Sequence, residues 1–116
     1  MINFVTFFAR DIERTASVYR LLGLHFISEQ HGSGPRHLAC VSESLVLEIY
    51  PGEDVASPGI MVGLDVDNLD LVRAKILEAD AHLSRDIDVV AGTRRIIVQD
   101  PEGRQIFVRE NKTSPN

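Results

Sequence analysis

The sequence of 116 residues is written twice. A first alternating strand, "INFVTFFA", runs into a helix that starts at the N-cap Asp11 and closes near Gly23. A second, "IMVGLDV", runs into a helix capped by Asn68. Met61 follows Phe4 by 57 residues, and Asn68 follows Asp11 by the same 57. At that offset Val5 meets Val62, Phe7 meets Leu64, Ala9 meets Val66 and Ile12 meets Leu69. Three strand candidates follow each helix: "LHFISE", "RHLACVS" and "SLVLEIYP" in the first half, "AHLSRDI", "TRRIIVQ" and "RQIFVRE" in the second. A repeat of this size is a duplicated supersecondary unit. The expected fold is α+β, with two βαβββ modules in tandem forming a curved mixed sheet and helices on its outer face. Modules 1–51 and 59–111, joined by the linker 52–58, make one domain over 1–111, and the tail 112–116 reads as disordered. One helix per module covers one sheet face, so the other needs a partner or encloses a ligand.

Helical spacing puts Ile12, Ala16, Tyr19 and Leu22, with Val18, on the buried side of the first helix, and Leu69, Val72, Ile76 and Leu77 on that of the second. The net charge of −5 argues against a phosphate backbone or an anionic membrane as partner, and mildly favours a cationic ligand. Cys40 is the one cysteine, which excludes a disulfide framework and a thiolate zinc cluster; in "HLACV" it is expected to be a buried thiol. No apolar stretch approaches roughly 18 residues and the start shows no signal-peptide pattern, so a cytoplasmic location is expected.

The opening "INFVTFFARDIERTASVYRLLGL" and the closing "VQDPEGRQIFVRE" resemble the glyoxalase, bleomycin-resistance and extradiol-dioxygenase (vicinal oxygen chelate) superfamily. The matching motifs are Asp11-Ile12 after a strand, Tyr19-Arg20-Leu21-Leu22-Gly23 at the helix end, and Asp100-Pro101-Glu102-Gly103 before the last strand. The last reads physically as a turn, with Pro101 presetting φ and Gly103 supplying positive φ, a structural role. The resemblance implies a metal held on the concave sheet face by the first and last strands of each module. The positions that match are Phe4, Glu48, Met61 and Phe107. Phenylalanine has no donor atom and a thioether is too soft for such a site, so neither metal nor cofactor is expected. His25, His31, His37 and His82 match no ligand position and show no i, i+4 or close strand spacing with one another.

Strand alternation predicts the rest of that face. Val5, Phe7, Ala9, Leu47, Ile49, Val62, Leu64, Val66, Ile96, Val98, Ile106 and Val108 go to the core. The inward residues then include the ligand-binding candidates Phe4, Phe8, Glu48, Tyr50, Met61, Arg95, Phe107 and Arg109. Glu48 in "LVLEIYPGE" is the one catalytic candidate, a general base if burial raises its pKa. A carboxylate there is expected to pair with Arg95, Arg109, a water or a cationic ligand group. The same residues could equally be a dimer core with Glu48 in a structural ion pair.

Three functions fit. The first is a metal-free small-molecule binder resembling the bleomycin-resistance branch, a homodimer that takes a small organic ligand, a cationic one being mildly favoured. The second is a lyase, isomerase or dioxygenase (oxidoreductase) of the superfamily with an atypical metal site. The third is a dimeric interaction module without ligand.

Overall fold

The computed structural model describes residues 2–53 and 60–111. The linker expected at 52–58 lies outside them from residue 54 on, as does the tail 112–116. The chain divides into two compact units, Met1–Ala56 and Ser57–Asn116. The first holds β1 (Phe4–Ala9), α1 (Ile12–Leu21), β2 (Ile27–Glu29), β3 (His37–Ser42) and β4 (Leu45–Pro51). The second repeats the order with β5 (Val62–Val66), α2 (Leu69–Glu78), β6 (His82–Val90), β7 (Thr93–Gln99) and β8 (Gln105–Glu110). The duplicated βαβββ order is therefore present.

Each unit forms a mixed four-stranded sheet, ordered β1-β4-β3-β2 in one and β5-β8-β7-β6 in the other. The first strand of each unit lies parallel to the last, and the remaining pairs are antiparallel. A parallel pair needs a long crossover, which the helix and two hairpin strands supply.

The two helices begin alike. Asp11 accepts the Arg14 N–H at 3.0 Å, and Asn68 accepts the Leu71 N–H at 3.0 Å, each from an extended backbone. They also end alike, in Schellman turns. Gly23 takes φ 97° while Leu24 N–H reaches the Tyr19 carbonyl at 3.2 Å. In the second unit Asp80 holds the left-handed position at φ 55°, with Ala81 N–H on the Ile76 carbonyl at 3.0 Å. Asp80 carries a Cβ where the first unit has glycine, so the repeat keeps the geometry at some backbone cost.

The helix-facing side of the first sheet is the core: Phe7, Ala9, Leu38, Cys40, Leu47 and Ile49 are buried, and Phe7 meets the Tyr19 ring of α1 at 5.6 Å. Ile96, Val98, Ile106 and Val108 do the same in the second unit, beneath Leu69, Val72 and Ile76 of α2. Cys40 is a free, buried thiol, as expected. Val5 and Leu77 are exposed rather than core, because one lies at the start of its strand and the other beyond the buried stripe of its helix. β2 begins only at Ile27, three residues later than its sequence run, and β6 runs on to Val90. β6 is prolonged by a tight hairpin at Ala91 and Gly92, both with positive φ (51° and 78°), whose twist suits flanking strands. Among the described residues no helix is long and apolar enough to cross a membrane.

The Asp100–Gly103 turn is built as its residues predict. Gly103 has φ 91°, and the Asp100 carboxylate accepts the N–H groups of Glu102 (2.8 Å) and Arg104 (3.0 Å). Its other oxygen faces the Arg104 guanidinium at 3.1 Å, with both side chains wholly buried. The motif ties the β7–β8 hairpin together and lies at no ligand-facing surface.

Candidate functional site

Parity and register assemble the open face of the first sheet. Thr6, Glu48, Ala39 and Ile27 stand side by side across β1, β4, β3 and β2. On the same face Phe8 pairs with Tyr50 between β1 and β4, and His37 pairs with Glu29 between β3 and β2. Phe4 and Phe8 leave 59% and 50% of their surface exposed, and Ile27 and Val41 on the same face are exposed too. Large apolar side chains thus stand together at the surface of this unit.

Glu48 is mostly covered, with 16% of its side chain accessible. It accepts the Thr6 hydroxyl at 2.9 Å, and its other carboxylate oxygen lies 3.6 Å from His37 Nε2. These partners are local to its own sheet. Within the second unit, Arg95 and Arg109 are paired with Asp88 and Asp65.

His37 is the residue that sequence reasoning missed. It is 1% exposed and its ring stacks on Tyr50 at 4.0 Å and 9°. Its Nδ1 faces the Pro35 carbonyl at 3.2 Å. Its Nε2 is buried without a hydrogen-bond partner, 3.4 Å from Glu29 Oε1 and 3.6 Å from Glu48 Oε2. His31, in the turn joining β2 to β3, brings its ring to 5.1 Å from that of His37 and its Nε2 to 4.0 Å from Glu29. The sequence spacing of the histidines groups none of them, yet the hairpin brings the His31 ring beside that of His37. A signal was present, since His37 and Ala39 alternate with the core residues Leu38 and Cys40 and so share the face of Glu48. Burial, and then the charges of Glu48 and Glu29, push the Tyr50 hydroxyl above its usual value, so it remains a proton donor.

The open face of the second sheet is organised by charge. Asp65, Arg109, Arg95 and Asp88 align across β5, β8, β7 and β6. Arg109 bonds Asp65 at 2.9 Å and Arg95 bonds Asp88 at 2.9 Å. The Arg95 hydrogen bond, with help from Arg85, holds the Asp88 carboxyl below its usual range. Beside this ladder Gly63 stands opposite Phe107, and a hollow of about 430 Å³ is lined by Gly63, Asp65, Arg95, Phe107 and Arg109 among others. Met61 precedes β5 and is 66% exposed. Arg94 turns to the other side and joins Asp70 and Glu110 at the start of α2, so Arg94 and Arg95 form no basic patch.

The donor chemistry at the four positions matched to the family metal does not fit a metal. Glu48 alone offers a hard oxygen, and it is already bonded to Thr6. Phe4 and Phe107 offer nothing, and Met61 only a thioether.

Tandem βαβββ units, each leaving one sheet face without a helix, define the fold class. No family model matches the sequence, and no curated protein matches it. Solved structures do match. One is TnmS3, an antibiotic binding protein from Streptomyces sp. CB03234, with TM-score 0.76 and 18% identity, over 97% of this chain and 96% of that one. Another is a glyoxalase/bleomycin resistance protein/dioxygenase family enzyme from Burkholderia phytofirmans PsJN, with TM-score 0.75 and 16% identity, over 93% and 96% of the two chains. A third is the oxidase ChaP-H2, with TM-score 0.71 and 16% identity, over 98% and 95%. The chain has the fold of the glyoxalase, bleomycin-resistance and dioxygenase proteins.

Proposed function

We propose that this protein binds a small organic molecule on its open sheet faces, with Glu48 as the polar anchor of a largely aromatic surface. The observation that carries the reading is the half-exposed pair Phe4 and Phe8 beside a mostly covered carboxylate. Aromatic surface supplies affinity and the carboxylate supplies orientation. Glu29 and Glu48 together favour a ligand with a cationic group. The antibiotic-binding neighbour of the same fold supports a binding role. In this reading Phe4, Phe8, Tyr50 and Glu48 serve one surface, Met61, Phe107, Arg95 and Arg109 the other, and no metal at the four family positions is needed.

The chain is read as a homodimer, because Phe4, Ile27 and Val41 leave apolar surface that a second copy can bury. Sedimentation velocity at micromolar concentration should show a dimer; a monomer of 12.9 kDa throughout would count against that part. The second reading is an enzyme, a lyase, isomerase or oxidoreductase. It is favoured by His37 Nε2 standing 3.6 Å from Glu48. Chemical change of a bound compound, followed by mass spectrometry, separates it from the first.

Thermal melts against a library of planar aromatic amines, with chelator present, test the binding reading. A ligand at 100 times its Kd should stabilise by about 2.7 kcal/mol. Phe8→Ala should lose that stabilisation while melting close to wild type without ligand. A library with no stabilising compound, or equal shifts in Phe8→Ala, would refute it.

A further inference from the structure

We propose that Glu29, His31 and His37 form a binding site for a first-row divalent cation at the β2–β3 hairpin, separate from the four strand positions discussed above. One ligand atom from each lies within 4.8 Å of the others. The hairpin produces this grouping directly. Glu29 ends β2, His37 begins β3 as its register partner, and His31 lies in the turn between them.

The distances are those of a coordination polyhedron rather than of hydrogen bonds. A tetrahedral ion with bonds of about 2.0–2.1 Å holds its ligand atoms roughly 3.3–3.5 Å apart. His37 Nε2 and Glu29 Oε1 are already 3.4 Å apart. His31 Nε2 is 4.0 Å from the same oxygen, and its side chain is 73% exposed, so it is free to close the remaining gap. A hydrogen bond between imidazole and carboxylate would instead lie near 2.7–3.2 Å.

The surroundings of His37 point the same way. Its Nδ1 faces the Pro35 carbonyl at 3.2 Å, and its Nε2, buried without a hydrogen-bond partner, faces carboxylate oxygens of Glu29 and Glu48 at 3.4 and 3.6 Å. A backbone carbonyl on the far ring nitrogen is the usual device for orienting a metal-binding imidazole. Tyr50, stacked at 4.0 Å, holds the ring in plane. A buried ring nitrogen set between two carboxyl groups and hydrogen-bonded to neither leaves a place for a cation. Two imidazoles and a carboxylate select zinc, cobalt, nickel or iron(II) over magnesium and calcium. Glu48 Oε2 lies 3.6 Å from His37 Nε2, near enough to neighbour a bound cation.

The proposal is independent of the organic ligand, since that search is run with chelator present. Full-length protein, stripped with chelator and dialysed, is titrated with Zn²⁺ by calorimetry and with Co²⁺ by visible absorption. One equivalent should bind at micromolar concentration or below, and Co²⁺ should give the intense visible bands of a four-coordinate site. His31→Ala and Glu29→Gln, both changes at accessible side chains, should each weaken binding by roughly 100-fold, and His25→Ala should not. His37→Gln tests the buried ligand, with circular dichroism confirming the fold. Absence of binding in the wild type, or equal affinity in His31→Ala and Glu29→Gln, would overturn the site.

Discussion

Asp100→Asn removes the negative charge from the turn before β8 and sets an amide NH2 where a carboxylate oxygen accepted from Arg104. The amide oxygen can still accept the N–H groups of Glu102 and Arg104, bonds of 2.8 and 3.0 Å in the wild type. What is lost is the charge facing the Arg104 guanidinium at 3.1 Å, where neither side chain has any accessible surface. Breaking one half of a fully buried pair costs about 3–5 kcal/mol, because the remaining charge stays out of water. At roughly 4 °C per kcal/mol for a domain of this length, Tm should fall by roughly 12–20 °C. Urea unfolding followed by circular dichroism gives the free energy directly. Asp100→Asn with Arg104→Met should recover most of the loss, since an apolar pair of similar volume is often neutral. A single-mutant loss below about 1 kcal/mol, the range of an exposed pair, would refute the assignment of this motif as the buried clasp of the hairpin.

Asp80→Gly should stabilise the second unit by about 1 kcal/mol, because glycine removes the Cβ from a residue held at φ 55°; a lower Tm would show that the Asp80 side chain contributes more than the strain. Arg73 holds the Asp86 carboxyl at about 2, down from 3.8, chiefly through its side-chain hydrogen bond. A lowered folded value means that stability is fully present above pH 3.8 and is lost as pH falls toward 2. NMR titration of Asp86 should show its midpoint rising in Arg73→Ala, and an unchanged midpoint would contradict the pairing. Gly63 has open space where a Cβ would stand, opposite Phe107, so Gly63→Val should fold at least as stably as wild type. A loss above about 1 kcal/mol would contradict the open space beside Gly63.

The duplicated architecture was legible because it rests on local chemistry repeated at one offset. Asp11 and Asn68 cap their helices at the same step, and alternation in β1, β4, β7 and β8 fixed which side chains face the helix. The open-face assignment of Phe4, Phe8, Glu48 and Tyr50 follows from the same alternation. Electrostatic partners were not legible, because they depend on register between strands distant in sequence. Arg95 finds Asp88 across β6 and Arg109 finds Asp65 across β5, neither of which periodicity alone can pair. His31 and His37 meet through the path of a glycine-containing turn, which spacing rules for helices and strands do not describe. Asp80 escaped for the opposite reason: its sequence lacks the glycine that usually announces a left-handed helix end.

Glu48→Gln separates a ligand-binding carboxylate from a structural one. The substitution keeps an oxygen for the Thr6 hydroxyl, now at 2.9 Å, and removes only the charge. Calorimetric titration of wild type and Glu48→Gln with the best compound from the amine library, in chelator, measures what that charge contributes to binding. The account predicts a variant that unfolds within about 1 kcal/mol of wild type, and a ligand Kd at least roughly 10-fold weaker, as expected for loss of a charged hydrogen bond. A variant that binds as tightly as wild type yet loses about 3–5 kcal/mol of stability would make Glu48 half of a structural pair and contradict the account.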